Sequence, residues 1–198
     1  SIIVNGKKTG FALMKGTGII EPNYAFSCYL CGGLDYLKYS ILHESVGHGF
    51  GLLADEYVDY IDQELPESNK NRLKLDQAKG LYFNVSLTND SRLVYWSHLI
   101  GHPRYPYVGV YEGGCKYNNG VWRSERVSLM STLLADLYFN AISRELLVKR
   151  ILELSGEGYS FDKFLQKDSD EGRPTGGSLS LSPFRSTSID WVDRLSVG

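Results

Sequence analysis

The segment ILHESVGHGFGLLADEY, residues 41 to 57, constrains this chain more than any other part of it. It holds two of only four histidines, His43 and His48, with Glu44 directly after the first and glycines at 47, 49 and 51. Upstream, Leu34, Leu37, Ile41 and Leu42 recur near helical spacing, which places the histidines on a helix. Each α-helical residue turns about 100°, so residues four apart sit about 40° from one another and residues five apart about 140°. On a regular α-helix the two imidazoles therefore diverge. A π-type turn, bonded from i to i+5, absorbs one extra residue and returns His48 to the face of His43. Gly47 makes that distortion cheap, although each helical glycine costs about 1 kcal/mol relative to Ala. Some interaction has to compensate for three of them, and a metal ion shared by the histidines is the natural candidate.

Zinc takes imidazole nitrogens and carboxylates, and hydrolytic zinc sites keep three protein ligands with one open position. His43 and His48 supply two. The third is expected just past the helix end at Gly51, where Asp55 and Glu56 are the nearby carboxylates. Asp55, seven residues beyond His48, leaves room for the chain to reverse and is preferred, but spacing leaves both open. Glu44 adjoins a ligand and reads as the general base that takes a proton from the attacking water and passes it to the leaving nitrogen. Tyr57, Tyr107, Tyr111 and Arg123 are candidates to support an oxyanion.

A net charge of -2 and a sequence pI near 6.1 argue against nucleic acid or an anionic membrane as a partner held by bulk electrostatics. A protein or peptide substrate recognised at a site is the expectation. No apolar run approaches the roughly 20 residues that span a bilayer, and SIIVNGKKTG lacks the apolar core of a signal peptide. Cys28, Cys31 and Cys115 cannot all pair with one another; the CxxC of the first two runs into Gly32-Gly33 rather than a redox helix, so the cysteines read as small buried or strand residues, or as one disulfide. His98 and His102 share a spacing of four, yet Pro103 disfavours a helix there, so they read as substrate-contacting or exposed residues.

The opening tracts IIVNG, FALMKGTGII and YAFSCYL read as strands. PESNKNRLKLDQAK, from Pro66 to Lys79, suggests a surface helix, and LYFNVSLTND a strand or extended loop. The Gly-, Pro- and Tyr-rich run from Ser97 to Arg123 reads as irregular structure of the kind that lines active sites. AISRELLVKRILEL is a second helix, capped by Asn140 or Ser143 and stopped by Gly156. The expected organisation is one domain over 1–198, with its core to about 156 and a polar tail or linker over 157–198, in which SIDWVDRL can dock.

Three segments carry a family resemblance: HESVGHGFGLLADEY, YPYVGVYEGGCKYNNGVWRSERVSLMS and FNAISRELLVKRI, together spanning about residues 34 to 155. They resemble the immunoglobulin A peptidase family of metzincin-like zinc metallopeptidases, with a His-Glu motif, an LADEY-like segment and a Gly-rich stretch leading through Trp-Arg to a Met. The chain departs from the commonest family pattern in having three residues between Glu44 and the second histidine, the HExxxH spacing also seen in dipeptidyl peptidase III. The resemblance implies an α+β fold with an N-terminal mixed β-sheet, an active-site helix, and a C-terminal subdomain with a methionine turn at Met130 and a closing helix. It also implies zinc-dependent endopeptidase activity and a secreted or cell-surface location. The rival readings are a non-catalytic, zinc-retaining module that binds a glycan or protein, and a different zinc hydrolase such as an amidase.

Overall fold

The computed structural model describes residues 38–132 and 137–174 with their side chains, together with the backbone of three earlier strands. Those strands, β1 (Ile3–Val4), β2 (Thr9–Lys15) and β3 (Ala25–Cys31), form one sheet in the order β1-β3-β2, with β1 parallel and β2 antiparallel to β3. β-Branched and aromatic residues in these tracts favour the pleated conformation, as predicted. Cys28 and Cys31 both fall within β3, and their side chains lie outside the described residues. β2 and β3 run beside the helix that carries the histidines.

That helix opens with α-helical residues 38–40 and is wound as a π-helix from Ile41 to Phe50. The Gly51 N–H donates to the Val46 carbonyl at 2.7 Å, closing an i to i+5 ring. The single bulge expected from the sequence is thus extended to every residue of the segment. Gly51 itself stays helical, with φ −77°, and the chain reverses one residue later, at Leu52, whose φ is 56°. A left-handed leucine costs about 1–2 kcal/mol. It is held by burial and by the bond from the Tyr82 N–H to the Leu52 carbonyl, 2.8 Å long.

A second, mixed sheet follows. Its strands are β4 (Val58–Glu64), β5 (Val85–Ser86), β6 (Tyr111–Gly114) and β7 (Lys116–Arg123). Tyr117 pairs with both Tyr60 and Gly114, and Arg123 with both Val85 and Tyr111. β6 therefore lines one edge of β7, while parallel β4 and antiparallel β5 share the other. The sequence reading placed β6 and β7 in irregular structure and had no strand at 58–64, so the structure corrects both. The β6–β7 hairpin turns through Cys115 and Lys116, whose φ values of 48° and 74° are not ones their residue types advertise. Ala54, Leu65, Leu73, Val85 and Val121 pack beneath this sheet.

Helix α1 (Glu67–Gln77) is the predicted surface helix. Helix α2 (Ala141–Leu154) is capped by Asn140, whose side-chain oxygen accepts the Ser143 N–H at 3.0 Å, and is followed by Gly156 at φ 76°. Helix α3 (Phe161–Lys167) was read as part of a polar tail. Its Phe164 is instead fully buried among Trp96, Leu99, Tyr105, Val108 and Ile142, an apolar burial that contributes about 1.5–3 kcal/mol. Asp168 then pairs with Arg144 at 2.6 Å and accepts the Tyr105 hydroxyl at 2.8 Å, so the packed body continues past residue 156. SIDWVDRL lies outside the described residues. The architecture is α+β, and among the described residues no helix is long and apolar enough to cross a membrane.

Candidate metal centre

The π winding sets His43 and His48 on one face, with ring centroids 4.8 Å apart and planes at 87°. After the reversal at Leu52, the chain returns Asp55 over both rings. Asp55 Oδ1 lies 3.1 Å from His43 Nε2 and 3.0 Å from His48 Nε2. All three donor atoms fall within 4.8 Å of one another. A tetrahedral ion with bonds of about 2.0–2.1 Å separates its ligand atoms by about 3.3 Å, and both histidine–Asp55 spacings lie within a few tenths of an ångström of that value.

The hydrogen bonds on the far side of each ring fix the tautomers. His43 Nδ1 donates to the Leu129 carbonyl at 2.9 Å, and His48 Nδ1 donates to the Leu53 carbonyl at 2.7 Å. Carbonyls only accept, so both Nδ1 atoms carry hydrogen and each neutral ring turns an Nε2 lone pair toward the Asp55 carboxylate. Lone pairs and an anionic oxygen at 3 Å repel unless a cation lies among them. Without a metal that cation is a proton: burial disfavours the charged form of His48, but the Asp55 carboxylate outweighs it and pushes the imidazole up to about 9. Burial likewise opposes ionisation of Asp55, and the two histidines overcome it and hold the carboxyl far below its usual range. With a divalent ion, both Nε2 atoms and Oδ1 become ligands and the backbone carbonyls orient the rings from behind. The donor set and its supports fit a metal ion.

Glu44 is buried on the same helix, and its carboxylate acts electrostatically on both His48 and Tyr57. Of the four oxyanion candidates only Tyr57 lies at the centre, hydrogen-bonded to Asp55. Arg123 is spent elsewhere, donating to the Gly113 carbonyl at 2.6 Å and the Glu125 carbonyl at 3.2 Å. The Tyr107 ring lies against Arg173, and the Tyr111 hydroxyl donates to the Tyr107 carbonyl. His98 pairs with Glu145 at 2.7 Å, and His102 packs on Tyr105 and Phe161, so neither reaches the centre.

Glu56, the other candidate for third ligand, points the opposite way. It is fully buried and accepts from Asn84 Nδ2 at 2.9 Å, Asn140 Nδ2 at 2.9 Å and Ser128 Oγ at 2.6 Å. Burial raises its carboxyl above the ordinary value, against those bonds. Its N–H donates to the Met130 carbonyl at 2.8 Å. Glu56 thus ties the ligand segment, the Met130 turn and the cap of α2 together. This network escaped the sequence reading, although residues that alternate in direction after a reversal were a signal for it.

Met130 is fully buried beneath the helix. A Cβ on Gly47 would come within 2.5 Å of its sulfur, so Gly47 is required for close approach as much as for winding. Compared with protein-family models and with curated proteins, the sequence has no significant match.

Proposed function

We propose that this chain is a zinc-dependent endopeptidase of metzincin-like architecture, as its resemblance to the immunoglobulin A peptidases implies. The observation that carries the reading is the convergence of His43 Nε2, His48 Nε2 and Asp55 Oδ1 beside the buried carboxylate of Glu44. Zinc held there would supply Lewis-acid polarisation of a scissile carbonyl and lower the pKa of water to about 7. Glu44, one residue from a ligand yet outside the ligand set, takes the proton from the attacking water and returns it to the leaving nitrogen. Met130 and Gly47 hold the floor of the site in close contact, as a methionine turn does. An extended peptide substrate along a sheet edge and an extracytoplasmic location belong to the same proposal.

The test is Glu44→Gln. It should retain stoichiometric zinc while its hydrolysis of a peptide library falls about 10²–10⁴-fold, the usual cost of removing a general base. Wild-type protein that binds zinc but cleaves no peptide would favour the non-catalytic module instead. Cleavage confined to amides outside peptides would favour the amidase.

A further inference from the structure

Asp55 and Tyr57 are two residues apart on a segment pinned at both points. The Asp55 carbonyl accepts the Cys115 N–H at 2.8 Å, and the Tyr57 carbonyl accepts the Lys116 N–H at 3.0 Å. Side chains therefore alternate along it: Asp55 faces the histidines, Glu56 faces Asn84, Ser128 and Asn140, and Tyr57 turns back to Asp55. The Tyr57 phenol donates its hydrogen bond to the Asp55 carboxylate, which can only accept. That carboxylate offers the single oxygen Oδ1 to both imidazoles. A carboxylate free to rotate presents both oxygens to an ion as readily as one. The phenol bond restrains that rotation, and its proton is already committed to Asp55 rather than available to an oxyanion.

We infer that Tyr57 is a positioning residue for the metal centre, holding Asp55 in the one-oxygen presentation that keeps a coordination position open for substrate. The inference rests on the assignment of His43, His48 and Asp55 as ligands. Preserving one open position is what separates a hydrolytic site from a closed structural one. Partners of this kind typically contribute 10–100-fold to metal affinity.

The experiment compares wild type with Tyr57→Phe, titrating zinc and cobalt(II) into each chelator-washed protein. Four-coordinate cobalt absorbs visible light far more strongly than five- or six-coordinate cobalt, so the spectrum reads how Asp55 binds. Tyr57→Phe should bind zinc about 10–100-fold more weakly, show a weaker cobalt band, and melt near wild type in the metal-free state. Tyr57→p-aminophenylalanine, which keeps the ring and an N–H donor, should restore both affinity and spectrum. Wild-type affinity in Tyr57→Phe, or weaker affinity with an unchanged cobalt band, would overturn the inference while leaving the metal site intact. Failure of the p-amino variant to restore either property would overturn it too. If wild type takes up no metal, the ligand assignment falls and this inference with it.

Discussion

Asp55 and Glu56 are adjacent carboxylates in opposite surroundings, one facing two imidazoles and the other three neutral donors. Spacing favoured Asp55 but left Glu56 open, because sequence distance fixes how far a side chain can reach but not which way it points. A third buried carboxylate, Glu125, gives the residue scale its test. It accepts the Ala141 N–H at 2.8 Å and the Tyr138 hydroxyl at 3.0 Å, with Arg173 at 3.5 Å. Burial outweighs these partners and pushes its carboxyl up to about 7, from an ordinary 4.5. Between those values the folded chain holds a proton that the unfolded chain has lost. The contribution to stability is therefore complete below about pH 4.5 and is lost as pH rises through 7, at up to about 1.4 kcal/mol per pH unit. Urea unfolding of Glu125→Gln between pH 5 and 8 should lack this fall; an unchanged slope would assign it to other groups.

At the scale of the element, the π-helix is the feature most nearly legible in the sequence. Histidines five apart demand a wider winding if they are to share a face, and Ile41 to Phe50 has it throughout. Its cause was read only in part. Gly47 was credited with backbone freedom, whereas the contact that excludes a side chain there comes from Met130, 83 residues later, and no local pattern records so distant a partner. The same reason hid β4, whose partner β7 lies across a long parallel connection, and α3, a short helix whose single deep anchor, Phe164, has only the partly buried Phe161 and Leu165 beside it. Elements with a dense local signal, such as α2 with its Asn140 cap and Gly156 stop, were readable almost to the residue. Gly47→Ala should destabilise the fold by about 1–3 kcal/mol through overpacking against Met130. The double variant with Met130→Ala should cost less than the sum of the two single changes, because the clash disappears. Thermal and urea melts of the four proteins measure the coupling, and strict additivity would remove Met130 as the reason for the glycine.

Across the whole molecule, the three candidate ligands come from a single short stretch, but their orientation comes from everywhere else. Leu129 directs His43, Leu53 directs His48, Cys115 and Lys116 pin the segment that carries Asp55, and Glu56 joins it to Ser128 and the cap of α2. The ligand residue types were legible in the sequence, whereas these supports, mostly backbone groups, carry no residue-type signature. The central claim is that His43, His48 and Asp55 hold one divalent ion. Its most direct measurement is zinc bound per chain after a chelator wash and reloading, for wild type and for His48→Ala, with X-ray absorption at the zinc edge of the loaded wild type. The expected result is one zinc per chain with two imidazole nitrogens and a carboxylate oxygen at about 2.0–2.2 Å, and at least about a hundredfold weaker binding in His48→Ala. Wild type without stoichiometric zinc, or His48→Ala binding as tightly as wild type, would contradict it.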